Sequence, residues 1–193
     1  MRTVTKHNSA APGLPDDFFE HDGLITKRHV RAGALAFLRP ASGELLWDIG
    51  LGSGSIAIEW CLLADNATAI GVEKRPDRAE RAIRNIENLT PGRVRVEFGP
   101  ADQVIDRLPA PDAIFVGGGA SEKVLSHGWN VLKPGGRMVI HGVTIETDTL
   151  CLAAYRKYGG SLSRISIETV EPIGKLLGWK PARAVTQWAA VKP

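Results

Sequence analysis

Three glycines at alternate positions, Gly50, Gly52 and Gly54, follow a strand-like apolar run that contains Asp48. The segment after them, 56–64, is mostly apolar and long enough for a helix. Glycine lets a backbone turn sharply and lets a ligand lie against it, and the free N–H groups at a helix start favour an anionic ligand group. The spacing therefore predicts a strand, a tight turn and a helix that together hold a ligand.

Glu73 ends the next strand-like run and stands 19 residues beyond Gly54. An acid at that distance is placed to hydrogen-bond the ribose hydroxyls of an adenosine-type cofactor. The motif leaves the cofactor open, because Gly52, Gly54 and Ala57 also fit a looser dinucleotide pattern. No Gly-Lys-Ser/Thr follows, which excludes a phosphate-binding P-loop. The structural alternative is a glycine-rich turn without a ligand.

Composition limits the classes of protein to consider. The 193 residues are 44% hydrophobic and 23% charged with a net charge of +3, which fits one globular domain and does not resemble a nucleic-acid binder. The sequence has no 18-residue apolar run and no signal peptide, so we expect a cytoplasmic protein. Cys61 and Cys151 have no ligand-like spacing, so we expect no metal site.

The other elements predict a doubly wound α/β sheet. A helix is expected over 27–38 with Thr26 as its N-cap. Apolar and charged residues alternate strictly over 93–98, which indicates an edge strand, and the third strand of a sheet ordered 3-2-1-4-5 lies at an edge. Segments 161–170 and 184–191 are strand-like with no helix between them, so we expect an antiparallel closing pair. Residues 1–13 are predicted to be a flexible lead-in or linker before a single domain, 14–193.

The glycine motif, Leu132-Lys-Pro-Gly-Gly136 before the fifth strand and the closing strand pair together resemble class I S-adenosylmethionine-dependent methyltransferases. This resemblance implies a Rossmann-like sheet of order 3-2-1-4-5-7-6 with an antiparallel closing strand, and S-adenosylmethionine as cofactor. It implies the cofactor-binding residues Thr26, Asp48, Gly50, Leu51, Gly52, Ser53, Gly54, Glu73, Lys74, Pro100, Ala101 and Gly117.

Within that class, the chain resembles the cobalamin-pathway precorrin methyltransferase/decarboxylase family, the C-terminal half of the enzyme where two halves are fused. The likeness covers 13–193, with one departure: 99–102 reads Gly-Pro-Ala-Asp where the family commonly has Gly-Asp-Ala-Pro. The motifs that carry it are Gly13-Leu-Pro-Asp-Asp17, Gly23-Leu-Ile-Thr-Lys-Arg28, Gly117-Gly-Gly119, Gly178-Trp-Lys-Pro181 and Val185-Thr-Gln-Trp188.

The family resemblance implies methyl transfer to carbon 15 of a precorrin, with loss of carbon dioxide from the acetate on ring C. Neither step demands a metal or a nucleophilic side chain, and His141 is the one candidate for an acid/base role. The resemblance also implies a homo-oligomer, and the lead-in suggests a fused or associated second methyltransferase domain. Candidates for substrate binding are Lys27, Arg28, Arg31, Gly118, Gly119, Lys175, Trp179, Lys180 and Arg183.

Three other functions remain open from the sequence. The chain could be a class I methyltransferase that acts on RNA or protein, or a nicotinamide-dependent oxidoreductase that uses the Gly52/Gly54/Ala57 pattern. It could also be a cofactor-binding subunit without activity.

Overall fold

The computed structural model describes residues 11–193, and most of the predicted lead-in lies outside that range. The strands are β1 (Leu45–Ile49), β2 (Thr68–Glu73), β3 (Val94–Phe98), β4 (Ala113–Val116), β5 (Arg137–Gly142), β6 (Ser161–Ile165), β7 (Glu168–Ile173), β8 (Leu176–Pro181) and β9 (Val185–Val191). The α-helices are α1 (Arg28–Leu38), α2 (Ser55–Leu63), α3 (Pro76–Leu89), α4 (Ala101–Val104), α5 (Glu122–Val131) and α6 (Ile145–Tyr158).

Seven strands form the main sheet in the order β3-β2-β1-β4-β5-β9-β6. The five strands from β1 to β5 pair in parallel, whereas β9 is antiparallel to both of its neighbours. The predicted order 3-2-1-4-5-7-6 is confirmed, because β6 and β9 are the sixth and seventh strands of this sheet in chain order. The alternating strand, β3, lies at an edge as its pattern predicted.

Apolar side chains fill both faces of the sheet. Residues of α1, α2 and α3 pack on one face, and residues of α5, α6 and the short α4 pack on the other. The central strand β4 is buried at all four positions because helices cover both of its sides. Such a doubly covered sheet exposes only the loops at its strand ends, and the carboxyl ends are where these folds bind ligands.

The closing segment corrects one sequence prediction. The expected strand 161–170 ends at Ile165, and β7 and β8 form a separate antiparallel hairpin. A two-residue loop, Gly174–Lys175, joins them, with Gly174 at φ +60°. Such short loops with glycine first are typical of hairpins. The prediction failed because alternation within a segment does not say which strand becomes its partner.

The prediction that Arg31 binds a substrate also needs correction. Its side chain is fully buried and bonded to the protein, so it is not free to contact a substrate. Its Nε donates to Glu59 at 2.5 Å, and its terminal nitrogens donate to Asp16 and to the carbonyls of Leu14 and Thr26. Burying an unpaired guanidinium would be costly, so these bonds are needed where it lies. The network fixes the segment before α1 against the helix that follows the glycine motif.

The start of α1 also differs from its prediction. Lys27 is the N-cap residue and makes no side-chain cap bond, while the Thr26 carbonyl accepts a bond from Arg31.

In the part of the chain that the structure describes, no helix is long and apolar enough to cross a membrane. Among those same residues, no cluster of three or more His, Cys, Asp or Glu side chains could hold a metal ion.

Candidate functional site

A cavity of about 840 Å³ opens at the carboxyl ends of the parallel strands. It spans the point between β1 and β4 where the strand order reverses, which is where doubly wound sheets bind ligands. Its floor is formed by the turns after these two strands. The first turn of α1 and residues of β7 and the 182–185 segment also line it. The cavity therefore joins the cofactor motif of the sequence to the closing part of the chain.

The glycine turn is shaped by left-handed backbone at each of its three glycines, with φ of +78° at Gly50, +58° at Gly52 and +77° at Gly54. A Cβ on Gly50 would lie 2.6 Å from the backbone nitrogen of Gly118, in the turn after β4. The two turns therefore meet backbone to backbone. Asn85 of α3 supports the loop from below, since its Nδ2 donates to the Ser53 carbonyl at 2.9 Å.

Glu73 ends β2 beside this turn, and its side chain is 6% exposed. Its Oε2 accepts the Gly52 N–H at 2.9 Å and its Oε1 accepts the Arg75 N–H at 3.0 Å. Each carboxylate oxygen has two acceptor sites, so these two bonds leave capacity for two hydroxyl groups. The main chain thus holds the carboxylate beside the glycine turn, in the lining of the cavity, and its contact with a ribose stays a prediction.

Asp48 lies deeper than Glu73 and is 1% exposed. Its Oδ2 accepts the Ala57 N–H of α2 at 3.1 Å. Burial raises the pKa of Asp48 to about 8, and the nearby Glu73 charge adds to the rise. A carboxyl with this pKa is mostly protonated at neutral pH.

His141 lines the cavity from β5 and is 7% exposed. Its Nε2 lies 2.8 Å from Oε1 of Gln187 on β9, while its Nδ1 is buried without a partner in the described structure. Burial lowers the pKa of His141 to about 4, against the smaller opposing effect of the Gln187 bond. The imidazole is therefore neutral at pH 7. The edge of the Phe115 ring packs against it, with ring centroids 5.1 Å apart.

The structure brings most of the predicted site residues to this cavity. Its lining includes Thr26, Lys27, Arg28, Asp48, Gly50, Leu51, Gly52, Ser53, Glu73, Lys74, Ala101, Gly117, Gly118, Gly119, His141 and Arg183. Besides the buried Arg31, five predicted residues lie outside the lining: Gly54, Pro100, Lys175, Trp179 and Lys180. Of these, Lys180 pairs with Glu171 across the hairpin and Trp179 is 70% exposed. The ligand-binding roles of all these residues stay predictions.

Two arginines that line the cavity, Arg75 and Arg78, were not among the residues predicted from the sequence. Arg75 pairs with Asp77, and Arg78 pairs with Asp22 at 3.0 Å. The two stand three residues apart at the start of α3, so helical spacing after Glu73 could have placed them on one face. With them, the cationic lining comprises Lys27, Arg28, Lys74, Arg75, Arg78 and Arg183, against the acids Asp16, Asp48 and Glu73.

Comparison with known proteins gives a consistent family. A family model described as a precorrin methyltransferase domain matches residues 17–192. A Sinorhizobium protein named precorrin-6Y C(5,15)-methyltransferase [decarboxylating] is 50% identical over 184 residues, which are 94% of this chain and 44% of that protein. A crystal structure of the C-terminal domain of precorrin-6Y C5,15-methyltransferase from Rhodobacter capsulatus has a TM-score of 0.88 and 44% identity, covering 95% of this chain and 99% of that one.

A relative of similar length adds detail. A Saccharolobus solfataricus protein named "probable cobalt-precorrin-6B C(15)-methyltransferase (decarboxylating)" is 35% identical over 159 residues, which are 79% of this chain and 80% of that protein. By contrast, the chain spans less than half the length of the Sinorhizobium relative and of two Mycobacterium tuberculosis relatives with the same name. The match to these longer proteins is thus to one part of each.

Proposed function

The chain belongs to the precorrin methyltransferase domain family, and from that premise we propose that it methylates carbon 15 of a precorrin and releases carbon dioxide from the ring C acetate. The observation that carries the choice of position is which relatives the chain matches along most of their length. The long relatives are named for two positions, 5 and 15, whereas the relative of similar length is named for carbon 15 with decarboxylation. A second methyltransferase domain, fused or associated, would then act at the other position.

The cradle around the glycine turn supports S-adenosylmethionine as the methyl donor. A Cβ at Gly50 would fill the space where the two turns meet, and Glu73 keeps acceptor capacity for two ribose hydroxyls. Ala101 and Gly99 line the cavity at the segment that the family resemblance assigns to cofactor binding. When bound, the sulfonium of this cofactor supplies an electrophilic methyl group. The chain's own contribution is to position its two ligands and exclude water.

The cations around the cavity support a polycarboxylate substrate. Six lysine and arginine side chains line the cavity. Lys27, Arg75 and Arg78 pair with Asp16, Asp77 and Asp22, and Arg28, Lys74 and Arg183 have no ion pair in the described structure. Precorrins carry several peripheral carboxylates, each of which needs a cationic or N–H partner when it leaves water. The cavity volume also lies towards the upper end of the ~300–1,000 Å³ range of small-molecule sites. That volume suits a cofactor together with part of a macrocycle.

Self-association is the remaining part of the proposal, and the hairpin supports it. By strand alternation Val170, Leu177 and Trp179 share one face of the hairpin, and they are 50%, 73% and 70% exposed. A lone two-stranded hairpin is marginal in water, so a second copy that covers this face would stabilise it. Sedimentation of the chain and of Trp179→Ser tests this. We expect an oligomer that the substitution weakens, and a monomeric parent would contradict it.

One experiment tests the reaction itself. The chain is incubated with S-adenosylmethionine and an enzymatically prepared precorrin, and products are analysed by mass spectrometry. We expect the gain of one methyl group and the loss of one carboxyl group, with no change when NAD replaces the methyl donor. Tight binding of NAD, with no binding of S-adenosylhomocysteine, would favour an oxidoreductase. Binding that weakens steeply with salt to an RNA instead of a precorrin would favour the RNA methyltransferase alternative.

A further inference from the structure

The proton balance of the proposed reaction raises a question about the cavity. At carbon 15 a methyl group replaces a hydrogen, so one proton leaves that carbon. On ring C a CH2–COO⁻ group becomes CH3, so its exocyclic carbon gains one proton after the carbon–carboxyl bond breaks. The two protons cancel, and the reaction needs neither an oxidant nor a reductant. It needs only a group that can take a proton at one position and return it at another.

The His141 imidazole has the features such a group requires. Gln187 Oε1 can only accept, so the Nε2 of His141 carries the hydrogen of their 2.8 Å bond. The other nitrogen, Nδ1, therefore holds a free lone pair. That atom is buried without a partner among the described residues, on a side chain that lines the cavity. A buried acceptor without a partner is rare and costly, so a ligand-bound state is where it finds one.

The position of His141 on the sheet also fits. It lies at the end of β5, next to β4, whose following turn meets the glycine turn of β1 at Gly118. With strands ~4.8 Å apart, His141 stands about 10 Å across the sheet from the cofactor turn, on the far side of Gly117–Gly119. A flat macrocycle over these glycines would lie between the methyl donor and the imidazole.

We propose that His141 is the proton shuttle of this reaction: its Nδ1 removes the proton from carbon 15 after methyl transfer and delivers it to the exocyclic carbon of ring C. In the first transfer the C15–H bond breaks and its electron pair enters the conjugated macrocycle. In the second, the π pair of the exocyclic methylene left by decarboxylation forms the new C–H bond, and the imidazole returns to its neutral form. Carbon 15 is one of the two bridge carbons bonded to ring C, so both positions belong to the same part of the macrocycle.

This proposal rests on the proposed function, and an isotope experiment separates the two. A precorrin with deuterium at carbon 15 is converted in a single turnover in ordinary water, and the label is located in the product. We expect deuterium in the new methyl group on ring C, because the buried imidazole exchanges slowly with solvent during one turnover. Absence of methyl transfer would overturn the proposed function, whereas methyl transfer without retained deuterium would overturn the shuttle alone.

Variants give a second measure. His141→Gln should lower kcat by about 10²–10⁴-fold and abolish deuterium transfer while the affinity for S-adenosylhomocysteine stays unchanged. The matched control is His127→Gln, because His127 lies outside the cavity and pairs with Asp106 on the surface. An unchanged kcat in His141→Gln, with the label still transferred, would overturn the shuttle.

Gln187→Met tests the tautomer without removing the imidazole. The variant keeps the side-chain volume but lacks the acceptor for the Nε2 hydrogen, so the free lone pair no longer stays on Nδ1. We expect kcat to fall and the retained fraction of deuterium to fall with it, at unchanged cofactor affinity. Unchanged values of both would overturn the role assigned to the His141–Gln187 bond.

Discussion

The two sides of the cavity are built differently. On the cofactor side, Glu73 and Asp48 are buried and receive main-chain N–H groups from Gly52, Arg75 and Ala57, so backbone geometry determines their placement. On the opposite side, cations such as Lys27 and Arg183 and the hairpin beyond them are exposed. The first side suits the cofactor that we propose, a ligand of fixed shape. The second is a charged rim that suits a large and variable polyanion.

The sharpest test of the cofactor side is a pair of alanine substitutions. Gly50→Ala should abolish detectable binding of S-adenosylhomocysteine, a loss in affinity of ~100-fold or more. The added Cβ would lie 2.6 Å from the Gly118 backbone nitrogen, so one of the two turns would have to move. Gly52→Ala should cost less, since its Cβ would lie 3.8 Å from the nearest atom, the Gly50 carbonyl oxygen. Calorimetry measures both affinities, and thermal unfolding checks the fold. Equal losses would show that the contact between the turns is unimportant.

Glu73→Ala should have the next largest effect on this side. We expect the cofactor affinity to fall by ~1–3 kcal/mol, because the ribose hydroxyls lose their acceptors and the Gly52 N–H loses its partner. Glu97→Ala is the matched control, since Glu97 lies on the neighbouring edge strand and pairs with Arg95 and Arg107. Equal affinity in Glu73→Ala and the parent chain, again by calorimetry, would contradict the ribose assignment.

Asp48→Asn tests the buried proton of the cofactor side. The folded pKa of about 8 lies above the unfolded value of 3.8, so the folded state holds a proton that the unfolded chain has already lost. The contribution of this carboxyl to the free energy of unfolding therefore decreases as the pH rises towards 8. Between pH 6.5 and 8 the parent should lose about 2 kcal/mol more than Asp48→Asn, because His141 contributes equally to both chains. Denaturant unfolding of both chains at the two pH values measures the difference. Equal losses of unfolding free energy in the parent and in Asp48→Asn would show that the carboxyl is ionised in the folded protein.

The smallest effect is expected on the charged rim. Arg183→Ala should raise the KM for the precorrin about 5-fold, near 1 kcal/mol, because an exposed cation contributes one screened contact among several. The affinity for S-adenosylhomocysteine should not change, and added salt should reduce the difference. Steady-state kinetics at two salt concentrations, with Arg95→Ala as a surface control, measure it. A loss as large as that of Glu73→Ala would remove the contrast between the two sides.

This contrast also explains which features the sequence could predict. The glycine turn and Glu73 belong to one strand–helix–strand unit, so local spacing predicted their arrangement. The edge position of β3 followed from its alternation, whereas the full strand order was implied by the family resemblance. By contrast, His141 and Gln187 are 46 residues apart, and no local pattern pairs them.

Other features depend on burial, which spacing does not report. The pKa of Asp48 is raised because the fold places it under the cavity, and Arg31 is buried because residues 13–26 close over it. The hairpin was missed for a related reason. The predicted strand 161–170 took in the start of β7, and β8 lies in the segment that was expected only to connect 161–170 with 184–191.

The meeting of Gly50 and Gly118 has one further consequence. A wall made of side chains adapts through rotamers, but peptide groups in contact have no such freedom. Movement of the loop after β4 would therefore push directly on the loop after β1. The distance from the methyl carbon of the proposed donor to the carbon that accepts it would then depend on the spacing between β1 and β4. Substrates of different shape would have to be accommodated at the charged rim of the cavity.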